Sequence, residues 1–247
     1  MKKTVCSIIF VLSLLFAMSA SAEDVIVNGR QIAFSAETGI PYVNSDYRTM
    51  VPVRVVTENL GANVLWSEAE EKATIITSKH IVEVFVGRDY LLVNGKIKKM
   101  DTVAIEQGGR IYLPIRYVAE EIGCKVIWFE YKEKVIVMDS SYYEKYTKFR
   151  DMFTYTASMP EHSEFAIVNA TISKKMDYAD IKAYWNGIEK EDKEFFAFLA
   201  TMDYHEANPD HQVSIAYIYK DYLGKAYYLA TGSTFSYDVY CFEPFEK

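Results

Sequence analysis

Apolar residues recur along this chain in short bursts separated by polar turns, the spacing of strands more than of long helices. Asn63 to Trp66, Ala73 to Ile76, Ile81 to Val86 and Tyr90 to Val93 each end in polar or glycine-containing stretches and predict strands. Asn28-Gly29 and Asn94-Gly95 lie between apolar residues, and each predicts a tight hairpin, because both central residues of such a turn take positive φ. Pro52 and Pro114 follow extended-looking residues and stand where a helix can begin, since the missing proline N–H would be unpaired there anyway. Val55, Val56 and Leu60, and again Tyr117, Val118 and Ile122, then form a short apolar helical face closed by Gly61 or Gly123.

These features come twice. The stretch from Arg48 to Gly61 returns as Arg110 to Gly123, and 116 − 54 and 123 − 61 both equal 62. The register persists through Val64-Leu-Trp66 and Val126-Ile-Trp128, then through Glu71-Lys72 and Glu133-Lys134. Pro, Gly and Trp kept together at one offset mark a duplicated unit. The expected architecture is α+β: two tandem ββαββ repeats over residues 23–140, then a second small α+β domain over 141–247. Each helix is too short to stand alone and must lie on its sheet. Arg54 and Arg116 precede Glu58 and Glu120 by four residues. An anion-binding arginine is one reading; a repeated structural ion pair is favoured, because both copies keep both partners. Trp66 and Trp128 allow a sugar platform, and their strand context favours core anchors.

The Val-Asn-Gly turn, the Pro-x-Arg-x-x-x-Glu-x-x-Gly helix and the following Val-x-Trp, all doubled, resemble the copper amine oxidase N-terminal domain-like family, also called the stalk domain. The resemblance covers about residues 25–139. After Trp66 and Trp128 stand Ser67 and Phe129, where the family often has aspartate. The resemblance implies a small extracellular α+β module of bacterial surfaces, found beside varied partner domains. It does not imply oxidase chemistry. A copper amine oxidase needs three histidine ligands and an Asn-Tyr-Asp/Glu tyrosine, whereas this chain has His80, His162, His205 and His211 and no Asn-Tyr pair. No amine oxidase activity and no cofactor are expected.

Beyond Ser140 the repeat stops and tyrosines accumulate. Tyr142, Tyr146, Phe149 and Phe153 recur at helical spacing and predict a helix over 142–155. A strand over 165–172 follows, then a helical stretch capped by Asp177 and broken near Gly187. A hairpin over 213–230 and a last strand over 235–242 complete the half. Tyr217, Tyr219, Tyr227 and Tyr237 alternate along the predicted strands and offer an aromatic binding face; core filling is the favoured alternative.

At the other end, Lys2-Lys3, the apolar run Val5 to Phe16 and Ala20-Ser21-Ala22 form the pattern of an export signal cleaved after Ala22. Without Lys2 and Lys3 the balance of 27 basic to 34 acidic residues becomes 25 to 34, so the mature chain repels phosphate backbones and nucleic-acid binding is not expected. No later stretch is apolar enough to span a bilayer. Export permits a Cys124–Cys241 disulfide, although two buried thiols are the commoner outcome.

Motifs for catalysis are sparse. His205 and His211, with Glu206 and Asp210, match no common zinc spacing and read as a solvated loop, and no metal is expected. His162-Ser163-Glu164 cannot form a triad as strand neighbours. The expectation is an exported, non-catalytic surface protein whose stalk module supports a C-terminal binding domain for wall polymer, glycan or protein. The alternative is a small secreted hydrolase with its active site in the C-terminal domain.

Overall fold

The computed structural model describes residues 24–129, 134–158, 165–172, 177–207, 212–220, 226–233 and 239–241. The first half opens with the hairpin β1 (Asp24–Val27) and β2 (Arg30–Gln31), followed by β3 (Tyr42–Val43), β4 (Thr49–Pro52) and α1 (Val53–Asn59). Next come β5 (Asn63–Ser67), β6 (Lys72–Ile76) and β7 (Ile81–Phe85). A second series follows: β8 (Tyr90–Val93), β9 (Lys96–Lys99), β10 (Ile105–Gln107), β11 (Arg110–Pro114), α2 (Arg116–Ala119), β12 (Lys125–Phe129) and β13 (Lys134–Met138). Each helix is therefore preceded by four strands, where the sequence pattern indicated two. The additional strands β3 and β10 are short, carry no apolar alternation of their own, and are defined by the partners they pair with.

Local chemistry is the same in both series. Asn28 and Gly29 take φ of 46° and 76°, and Asn94 and Gly95 take 49° and 78°, as a tight hairpin turn requires. Gly61 and Gly123 both lie in the left-handed region, at 77° and 88°. Beyond them Ala62 N–H donates to Thr57 O and Cys124 N–H to Ala119 O, closing each helix with the same bond. Pro52 and Pro114 are both buried at the end of the strand that feeds the helix.

The two series meet at β4 and β11, which pair antiparallel in the sheet β10-β11-β4-β3. Val51 faces Leu113, Met50 faces Pro114 and Pro52 faces Tyr112. Val51 and Leu113 are separated by the repeat offset, so each is opposite its own counterpart, the register of a local two-fold axis. The hairpins cross over. β8–β9 extends the sheet of β5–β6 through β7, while β1–β2 joins the sheet of β12–β13 with β1 parallel to β13. Neither series can close its own sheet alone.

In the sheet β12-β13-β1-β2 the central strands β1 and β13 are buried on both faces, and strand alternation divides their side chains between two cores. Val25, Val27, Val135 and Val137 turn toward Val51, Val56, Ile115 and Ala119. Ile26, Phe129, Ile136 and Met138 turn the other way, into a core built with the C-terminal half. The corresponding outer face of β5–β9 stays open, with Leu65, Ile81 and Ile97 exposed.

That C-terminal half comprises α3 (Ser140–Asp151), β14 (Phe153–Ser158), β15 (Phe165–Ile172), α4 (Tyr178–Asn186), α5 (Lys190–Glu206), β16 (Gln212–Lys220), β17 (Ala226–Ser233) and β18 (Val239–Cys241). Its sheet runs β14-β15-β16-β17-β18, with only β15 and β16 parallel. The helix expected over 142–155 stops at Asp151, and Phe153 and Tyr155 lie in β14. Alternation with Thr154 and Thr156 overrides the helical spacing there, while Phe149 and Phe153 still pack at 5.3 Å. Asp177 caps α4 as expected, accepting from the N–H of Asp180. The change of topology near residue 140 is not a break in packing. Asp139 caps α3 at the N–H of Tyr142 and also accepts from the Asn28 side chain at 2.7 Å, tying hairpin to helix.

Tyr142 then stands over the β1–β2 turn, with its hydroxyl donating to Asp192 at 2.7 Å. A Cβ at Gly29 would lie 2.2 Å from that hydroxyl, whereas one at Gly95 meets nothing within 4 Å. Gly95→Ala is expected to cost about 1 kcal/mol for the left-handed backbone alone. Gly29→Ala adds overpacking of a tethered tyrosine and is expected to cost roughly 2–4 kcal/mol in all. Urea midpoints of the two variants check this, and equal losses would refute the packing of Tyr142 on the turn.

Deeper between α3 and α5, the Tyr146 hydroxyl donates to Asp203. Burial raises the carboxyl of Asp203, against the opposing effects of Tyr146, Arg150 and Lys125. A carboxyl raised on folding contributes stability below its unfolded pKa of about 4 and loses it as pH rises through the folded value. Asp203→Asn keeps an acceptor for Tyr146 and removes the buried charge. It is expected to melt higher than the parent at neutral pH, with the gap narrowing toward acid; melting curves across that range decide.

Candidate functional site

Where the two series meet, α1 and the β5–β6 turn of the first and the β10–β11 hairpin of the second enclose a cleft of about 770 Å³. Helix α1 buries Val53 and Val56 and turns Arg54 and Glu58, one helical turn apart, outward to line it. Strand β5 sends Val64 into the core, and Trp66, two residues on along the same face, falls where the core ends. Its indole is 43 % exposed and forms part of the cleft wall. Glu68 and Glu71 come from the β5–β6 turn, where Glu71 adopts a φ of 47°.

The opposite wall is fastened by Arg110. Its guanidinium donates to the carbonyl oxygens of Ala36, Glu37 and Gly108, holding the 35–39 loop against the hairpin. Gly39 permits that approach, since a Cβ there would lie 2.3 Å from the Tyr112 hydroxyl. Glu106 accepts from the N–H of Gly109 at 2.8 Å, which shapes the turn. The lining thus carries the carboxylates of Glu37, Glu58, Glu68, Glu71 and Glu106 against the guanidiniums of Arg54 and Arg110. Arg110 is committed to carbonyls, while the Arg54 guanidinium has no hydrogen bond or ion pair among the described residues. A flat apolar ring beside an excess of negative charge suits a ligand with apolar faces and cationic groups.

The repeat pairs do not behave alike. Arg116 and Glu120 form the expected ion pair at 3.6 Å, on the exposed surface. Arg54 and Glu58 do not pair, correcting the expectation of a repeated salt bridge: both groups face the cleft, where water competes with so weak a contact. Trp128 is half-buried against the core that includes Val25, Val56 and Val135, as a core anchor should be. Trp66 departs from that expectation, because it belongs to no buried cluster.

Of the tyrosine candidates, Tyr217 is fully buried. Its ring lies 5.0 Å from Phe153 and its hydroxyl donates to Ala197 O at 3.0 Å, so it fills the core instead of presenting a binding face. Tyr219 and Tyr227 are register partners in β16 and β17, with side chains outside the described part, and Tyr237 lies outside the described residues altogether. His205 is buried on the last turn of α5, a correction to the solvated-loop reading, while His211, Asp210 and the 162–164 stretch lie outside the described residues. Cys124 is a free thiol that burial, aided by Asp139, pushes up to about 12, leaving it protonated and unreactive at neutral pH. No described helix is long and apolar enough to cross a membrane.

Sequence reasoning missed Glu37, Glu68, Glu71, Glu106 and Arg110, which come together only through the pairing of β10, β11 and β4. The one linear signal was the place where the copies diverge, Ser67 against Phe129 beside the tryptophans.

Residues 26–137 match the family model of the copper amine oxidase N-terminal domain. No curated protein matches the chain.

Proposed function

We propose that this chain, whose residues 26–137 are a copper amine oxidase N-terminal-type domain, is an exported, non-catalytic surface protein that holds an extracellular glycan in the cleft around Trp66. The half-exposed indole in a cleft of about 770 Å³ carries this reading. The tryptophan ring offers a large apolar area and a polar N–H to a partner. Export is supported by the three-part pattern of the first 22 residues.

Within the reading, residues 25–139 are two copies of one unit. The shared turn geometry at Asn-Gly, the matching helix ends at Gly61 and Gly123, and the Val51–Leu113 register support that duplication. The second copy gives up its outer sheet face to the C-terminal half, and the first copy's helix and β5 strand stay open to a surface cleft that the β10–β11 hairpin completes. The C-terminal half acts as a buttress, since its described tyrosine candidate is in the core. Retention of the mature protein on isolated cell wall tests the function. Retention no greater than that of an unrelated acidic protein would overturn it.

A further inference from the structure

We infer that the ligand of the Trp66 cleft is a glycan bearing free amino groups, an inference that rests on the binding role proposed above. The cleft and its exposed indole define where a ligand sits; its charges define which kind. An indole face attracts the apolar C–H face of a sugar ring and, among aromatic rings, is the strongest partner for an ammonium group. Glutamates line the same cleft from separate elements: Glu58 on α1, Glu68 and Glu71 in the β5–β6 turn, Glu106 on β10 and Glu37 in the loop that Arg110 pins. Because they are spread around the cleft instead of focused on a point, they match a chain of sugars carrying an ammonium at successive units. The Arg54 guanidinium, free of protein partners among the described residues, is placed to donate to hydroxyl or ring oxygens. The same excess of negative charge, on a chain whose formal net charge is −7, repels anionic polymers.

The test compares one sugar backbone in two charge states. Mature full-length protein is titrated at mildly acidic pH with an N-acetylated amino-sugar oligomer and with the same oligomer after de-N-acetylation. An oligolysine of similar length is titrated in parallel. The free-amine oligomer is expected to bind at least roughly tenfold more tightly than the acetylated one, and the preference should shrink as salt is raised. Trp66→Ala and the double variant Glu58→Gln/Glu106→Gln should each lower that affinity by roughly tenfold. Both variants should melt near the parent, since these side chains lie at the surface. Equal affinity for the two oligomers overturns the charge inference and leaves the glycan cleft standing. Equal or tighter binding of oligolysine through the same residues overturns the sugar assignment in favour of a basic peptide. If neither oligomer binds while Trp66 still governs retention on cell wall, the amino-sugar inference falls alone. If wall retention is indifferent to Trp66→Ala, the cleft reading falls with it.

Discussion

Phe129→Ala is expected to destabilise the whole chain by about 3–5 kcal/mol, the cost of emptying a large aromatic site that cannot collapse. Phe129 is 2 % exposed, lies edge-on to Phe198 at 6.2 Å, and joins Ile26, Ile136 and Met138 from the first half to α3 and α5 from the second. Removing its ring opens a void between the sheet and the helices, so both halves lose contacts at once. Its counterpart in the first copy is Ser67, on the uncovered face of β5. Ser67→Ala should therefore change stability by no more than about 0.5 kcal/mol. Urea unfolding of the two variants gives the comparison. A Phe129→Ala protein that keeps its midpoint would mean that the C-terminal half does not pack on this sheet.

Trp66→Ala is expected to act in the opposite way, abolishing most retention on cell wall while leaving the fold in place. An indole that is 43 % exposed and outside every core cluster contributes far less to stability than a buried one. As the apolar platform of the cleft, it should dominate binding, as buried tryptophan anchors do at interfaces. Trp128→Ala should reverse the pattern: a clear loss of stability on the order of 2–3 kcal/mol and little direct effect on retention in protein that remains folded. Paired melting and wall-binding measurements on both variants separate the roles. If the two tryptophans proved interchangeable, the division between the copies would be wrong.

Much of the fold could be read along the chain because it depends on local chemistry. Asn-Gly demands positive φ, proline sets the entry to each helix, and glycine closes it; all of these repeat at one offset. The α+β class and the family of residues 26–137 follow from the same positions. The crossover of the hairpins was hidden, because nothing in β1 tells whether Val25 pairs within its own copy or beside Val135. The strands β3 and β10 were hidden too, being defined by their partners. Trp66 and Trp128 look alike in one dimension, and only the packing of Trp128 against the core of Val25, Val56 and Val135 sets them apart. Tyr217 shows the same limit: its alternation with Tyr219 marks a strand, while the helix carrying Ala197 decides that its face is interior.

Two continuous cores on either face of β13 imply that the stalk-like module and the C-terminal half open together. Hydrogen exchange followed by mass spectrometry on the mature protein measures this directly, by comparing peptides over 134–138 with peptides over 193–202. Equal opening free energies, both falling together in Phe129→Ala, are the expected result. Exchange through α5 at a much lower free energy, with 134–138 still protected, would show a separate domain carried on a stalk.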